Sequence, residues 1–157
     1  MLQPRFEHIS EKRIIGVRMN MSFAAYRIAA LWSSFMPKRA LITHTSSSDL
    51  ISLVNYAPNH FTHFSVHNEF ERWAACEVGE HSQPPEGMES TVIPAGRYAV
   101  FLYQGLSSDP RIFQYIYQEW LPSSGYQLDD RPHFEVLGSK YKNNDPSSEE
   151  EIWIPIR

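Results

Sequence analysis

"IIGVRMNMSFAAYRIAALWSSFMP", residues 14–37, slides by 85 positions onto "AVFLYQGLSSDPRIFQYIYQEWLP", residues 99–122. In that alignment Ile28 meets Phe113, Leu31 meets Ile116, Trp32 meets Tyr117, Phe35 meets Trp120, Met36 meets Leu121 and Pro37 meets Pro122. These positions carry the i, i+3, i+4, i+7, i+8 spacing of an amphipathic helix face. Each stretch therefore predicts a short strand and then a helix ended by proline. The second helix also has a start signal, with Ser108 or Asp109 as N-cap and Pro110 in the first turn.

The segments C-terminal to the two helices correspond too, at a slightly different offset. "FERWAAC" (70–76) resembles "EEIWIPI" (150–156), pairing Glu71 with Glu151 and Trp73 with Trp153. "LISLVNY" (50–56) takes the place of "FEVLGSKY" (134–141). The order is strand–helix–strand–strand, twice. The expected fold is α+β: an antiparallel sheet with two helices about a pseudo-two-fold axis. It forms one domain, 1–157, with repeat halves of about 5–78 and 90–157. Ser-, Pro-, Gly-, Asn- and Asp-rich loops fill 43–49, 79–90, 121–132 and 139–148.

At 157 residues and 42% hydrophobic content, the chain is long enough to bury a core. A net charge of −4 with no basic patch argues against direct nucleic-acid binding and against anionic membranes. The single cysteine, Cys76, cannot form an internal disulfide and points to a reducing cytoplasm. No signal-peptide-like segment or membrane-length apolar run is present in the sequence.

Strand alternation divides the side chains between two faces. Ile152, Ile154 and Ile156 make a core face, so Glu151 and Trp153 are expected opposite. In "HFEVL", Phe134 and Val136 are the expected core pair, leaving Glu135 opposite. By the 85-residue offset, Val100 and Leu102 follow Ile15 and Val17 inside, and Phe101 and Tyr103 fall outside. Tyr56 and Trp73 join them. The helix-free face is thus expected to collect Tyr56, Trp73, Phe101, Tyr103 and Trp153 around Glu135, with Glu151 nearby. Rings around one carboxylate suit flat, hydrophobic or cationic small molecules. A dimer interface or a third packed layer would use the same aromatics, and a one-residue slip would exchange the faces.

"PPEGMES…IPAGRYAVFLYQG" (84–105), "LDDRPHFEVLG" (128–138) and the terminal "EEEIWIPI" (149–156) together resemble GyrI-like effector-binding domains, a family that includes ligand-binding domains of multidrug-sensing transcription activators. The resemblance implies a tandem-repeat fold around a small-molecule groove. The family's strand glutamate maps onto Glu135, and Glu151 matches a second acidic position. Those activators carry a DNA-binding segment ahead of the effector domain. Here the first strand comes almost at once, so the expectation is a stand-alone protein, monomer or homodimer, used in drug or toxin sensing or sequestration. Some stand-alone members hydrolyse strained cyclopropane-bearing toxins. In that alternative Glu135 activates water and Tyr103 or Glu151 acts as acid. A protein-interaction module built on the aromatic face is the third reading.

No cofactor is expected. His60, His63 and His67 sit at i, i+3, i+7 but in a connection with turn residues, so solvated histidines rather than a metal site are expected. No phosphate loop or G-x-S-x-G elbow is present in the sequence. Cys76 reads as a buried thiol, and Trp32 and Trp120 as core.

Overall fold

The computed structural model describes residues 2–157. Eight strands form one antiparallel sheet: β1 (Arg5–Ile9), β2 (Lys12–Met21), β3 (Leu50–Tyr56), β4 (Phe70–Val78), β5 (Glu89–Ile93), β6 (Gly96–Gln104), β7 (His133–Leu137) and β8 (Glu149–Pro155). Their spatial order is β1-β6-β8-β7-β3-β4-β2-β5, which reads the same from either end once the halves are exchanged. Two of these strands, β1 and β5, lie outside the strand–helix–strand–strand scheme. Each opens its half and pairs with the long strand of the other, β1 with β6 and β5 with β2. Gly16, where β2 meets both β4 and β5, has no room for a Cβ, which would overlap the carbonyl of Ala74.

One face carries both helical segments. Helix α1 (Ile28–Phe35) buries Leu31 and Phe35 against Ile15, Met21, Val54, Phe70, Ala74 and Cys76. Helix α2 (Arg111–Tyr115) runs through a wide π turn, Ile116–Trp120, into α3 (Leu121–Ser124). Ile116 and Trp120 pack on Ala99, Phe101, Ile152, Ile154 and Ile156. Asp109 accepts the Arg111 amide at 3.0 Å and so tethers the first turn.

The expectation that proline ends each helix holds for α1, which stops at Phe35, and fails for the second helix. After α1 the chain tightens into a 3₁₀ turn, Met36–Leu41, with Pro37 in its first turn. The second helix continues past Pro122 to Gly125, where a left-handed φ of 79° stops it. A π turn just before a proline loosens the ladder where an amide donor is missing, so the helix absorbs the proline.

The faces of β3, β6 and β7 are reversed from expectation: on β3, Val54 and Tyr56 lie on the helix side and Ile51 and Leu53 on the other. Phe101 and Tyr103 lie under α2, and Val100 lies on the opposite face. Phe134 and Val136 pack with Ile51, Leu53 and Tyr98 on the helix-free face, which puts Glu135 on the helix side. The registers explain the slip. Trp73 lies opposite Arg18 and Trp153 opposite Val100, so positions 18 and 100 correspond, an offset of 82. The helices match at 85, and an odd difference of three exchanges the faces of a strand.

The helix-free face is as dry as the other. Trp73 is 4% exposed and Trp153 9%, and Ile14, Leu53, Ile93 and Tyr98 are fully buried. Phe134 and Trp153 stack at 5.1 Å, and the Arg131 guanidinium covers Tyr98 at 4.6 Å. With apolar residues on both faces of the central strands, alternation cannot tell which face the helices cover.

Candidate functional site

Between the two helical segments the sheet floor is polar. β7 presents His133 and Glu135, β3 presents Ser52 and Tyr56, β4 presents Arg72 and β8 presents Glu150. Arg72 donates to Ser52 Oγ at 2.9 Å, and its guanidinium lies 3.6 Å from Glu135 Oε1. Glu135 and Glu150 lie close enough for the charge on one to act on the other. Glu150 is 4% exposed, and no donor reaches its buried Oε2. Burial and the charge on Glu135 push its carboxyl up to about 8. Burial also pushes Glu135 upward, while Arg72 pulls it back. The consistent assignment is an ionised Glu135 paired with Arg72 and a neutral Glu150.

Aromatic rings wall this floor. Burial raises the Tyr56 hydroxyl to about 12 and Tyr117 further, and both feel the charge of Glu135. The Tyr117 hydroxyl and His133 Nδ1 are hydrogen-bonded at 2.8 Å, and burial lowers His133 to about 3, so its ring is neutral. The segment 57–68 lies over the cleft. Phe61 stacks on His133 at 5.6 Å and meets Tyr117 at 4.8 Å and Tyr56 at 5.0 Å. Phe61 itself is 37% exposed, a cover rather than core.

The expected binding set divides. Glu135, Tyr56, Phe101 and Tyr103 are on the helix side, but Phe101 is sealed beneath Trp120 at 5.1 Å. The Tyr103 hydroxyl donates to the Leu106 carbonyl at 2.8 Å rather than to Glu135. Trp73, Trp153 and Glu151 are on the other face, each indole saturated by a glutamate two residues earlier. Trp73 Nε1 donates to Glu71 at 2.6 Å and Trp153 Nε1 to Glu151 at 3.1 Å. Arg18 and Arg5 close these two pairs from outside. A hollow against Trp153 holds about 50 Å³, room for a water or two. A larger open hollow of about 280 Å³, lined by Asn20, Asn55, Tyr56, Phe70 and Glu71, opens at the strand ends; it touches Tyr56 but does not include Glu135.

Arg72, Glu150, Tyr117 and His133 escaped the sequence reading. Arg72 had a signal, a lone base inside the apolar strand "FERWAAC". Glu150 had none, because in the run "EEE" only the register decides which carboxyl turns inward. His60 also departs from expectation: it is buried among Tyr56, Phe23, Phe64 and Phe70 rather than solvated. Among the described residues no group of His, Cys, Asp or Glu forms a metal set, and no helix is long and apolar enough to cross a membrane.

Residues 2–157 match the GyrI-like small molecule binding domain. The chain belongs to that family. It is 29% identical over 148 residues to the transcriptional regulator BrlR of Pseudomonas aeruginosa, an alignment covering 91% of this chain and 51% of that protein. The chain thus spans about half the length of this curated relative. Among solved structures, SAV2435 bound to tetraphenylphosphonium superposes with a TM-score of 0.70 at 13% identity, covering 99% of this chain and 94% of that one. The EcmrR C-terminal domain gives 0.70 at 15%, covering 100% and 98%. A hydrolase from Listeria innocua gives 0.61 at 8%, covering 99% and 92%. At these identities the likeness is one of fold.

Proposed function

We propose that this GyrI-like domain binds hydrophobic organic cations in the cleft between its helices, with Glu135 as countercharge. The observation that carries the reading is a paired carboxylate on a floor walled by Tyr56, Tyr117 and His133 and covered by one ring, Phe61. One aromatic ring of a cation would displace Phe61 and take over its stacking, and the charge would add cation–π attraction of about 0.5–2 kcal/mol per ring. The solved relative that holds tetraphenylphosphonium supports the same ligand class. Occupancy would serve sensing or sequestration of toxic compounds.

Calorimetric titration with tetraphenylphosphonium and with neutral triphenylphosphine oxide tests the reading. Glu135→Gln should weaken the cation at least tenfold more than the neutral compound. Equal losses for both would remove the charge role. Hydrolysis is the second reading, favoured by an ionised and a neutral carboxyl side by side, the arrangement a general base and acid require. A ring-opened product from a cyclopropane-bearing substrate would establish it.

A further inference from the structure

The cleft floor holds one guanidinium and two carboxyls. Arg72 compensates Glu135 and leaves nothing for Glu150, whose Oε2 is buried without a donor. Among the described residues, no second cation approaches the pair from a surrounding element. The other titratable groups facing it are Tyr56 on β3, Tyr103 on β6, His133 on β7 and Tyr117 in the π turn, all neutral near pH 7, and Tyr26 ahead of α1, which approaches Arg72 and Tyr56. Counted as a unit, the closed floor is uncharged only while Glu150 keeps its proton. Adding a monovalent cation would leave a net positive charge in a nearly dry cleft, which is strongly unfavourable.

We propose that Glu150 is a proton-release partner of the binding site: an organic cation entering beside Glu135 drives Glu150 to give its proton to solvent, and a neutral ligand does not. This rests on reading the cleft as a cation site. The step balances: the carboxylic acid O–H breaks, the proton leaves to bulk water, and the carboxylate left behind cancels the arriving charge. Arg72, freed from a single partner, can then lie between two carboxylates, with its buried and unpartnered Nε available as a further donor. The cleft so built is a proton-for-cation exchanger. It favours permanent cations as the surroundings become more alkaline, and it is indifferent to pH for neutral aromatics.

Titration calorimetry of the whole chain with tetraphenylphosphonium, in two buffers of different ionisation enthalpy near pH 7, counts the protons directly. The expected result is release approaching one proton per cation. Affinity should rise by about tenfold per pH unit below the pH where Glu150 ionises in the free protein. Triphenylphosphine oxide should bind with no proton exchange and no pH dependence. Glu150→Gln, which matches the protonated acid in shape, should abolish both the release and the slope. Independently of any ligand, infrared spectra of the free protein should show a protonated-carboxyl band that Glu150→Gln removes. Cation binding without proton release, or a free protein lacking that band, overturns the proposal while the cation site stands. Failure of tetraphenylphosphonium to bind overturns both.

Discussion

Arg72 and Glu135 come from opposite halves of the chain and meet at 3.6 Å on the cleft floor. Their positions are not repeat equivalents. Trp73 pairs with Leu53 and Trp153 with Phe134, so Leu53 corresponds to Phe134, and Glu135 to Val54. Arg72 likewise corresponds to Ile152, which lies opposite Glu135. Two pseudo-symmetric halves thus meet at an axis where each supplies what the other lacks, and the charge pair exists only across that axis.

Removing one partner should therefore cost far more than removing both. Arg72→Met leaves Glu135 and Glu150 without a cation. The expected loss is about 3–5 kcal/mol of unfolding free energy by urea titration. Arg72→Met with Glu135→Gln should recover most of that loss. Additive costs in the double variant would mean that the two side chains do not interact.

The pair and His133 give stability opposite pH dependences. The folded protein keeps the Glu150 proton to about pH 8, whereas the unfolded chain gives it up near an ordinary 4.5. Raising pH through that window therefore favours unfolding. His133 is neutral in the fold down to about 3 and takes up a proton near 6.5 when unfolded, so lowering pH below about 6.5 also favours unfolding. Between 4.5 and 6.5 the two slopes oppose. Above about 6.5 only the acid acts, and stability should fall at up to about 1.4 kcal/mol per pH unit as pH approaches 8. Urea midpoints across about pH 5–8 check this. Glu150→Gln should flatten the alkaline side, and His133→Asn should carry the decline down toward 4.5.

Much of this architecture is legible in the chain. The Trp–Pro periodicity of the helices and the paired "FERWAAC" and "EEIWIPI" strands lead to an α+β sheet with two helices, and "HFEVL" marks Glu135. What stays hidden is parity. Val100 and Phe101 are both large and apolar, as are Phe134 and Val136, and both faces of the sheet are buried, so no composition rule says which side the helices take. β1 and β5 are missed for a related reason. "RFEHI" and "ESTVI" carry too few apolar residues to announce themselves, and their pairing is supplied by the opposite half. Arg72 shows only as a lone base inside the apolar strand "FERWAAC", and Glu150 does not stand out from its neighbours in "EEE".

The two faces predict opposite behaviour of aromatic substitutions. Trp73→Phe removes a buried indole and its hydrogen bond to Glu71, and should cost about 1–3 kcal/mol of stability. It should leave tetraphenylphosphonium affinity within about twofold. Tyr117→Ala should weaken the cation by about 0.5–2 kcal/mol through lost ring contact. If Trp73→Phe lowers affinity as much as Tyr117→Ala, the ligand sits on the helix-free face.

Phe61 decides how fast a ligand arrives. Its ring fills the space between Tyr117, His133 and Tyr56 that one aromatic ring of a cation would need, yet it is more than a third exposed and belongs to a connection rather than to the sheet. Aromatic pairs of this geometry contribute about 0.5–1.5 kcal/mol each beyond burial. Phe61→Ala should therefore lower stability by about 2–4 kcal/mol, partial exposure keeping the burial lost small. It should speed tetraphenylphosphonium association severalfold in stopped-flow fluorescence, since the cleft no longer has to empty first. The ring also becomes unavailable to the bound cation, so dissociation should quicken as well and the net affinity should change less than either rate. An association rate identical to that of the parent protein would show that the ligand enters by a path that does not pass Phe61.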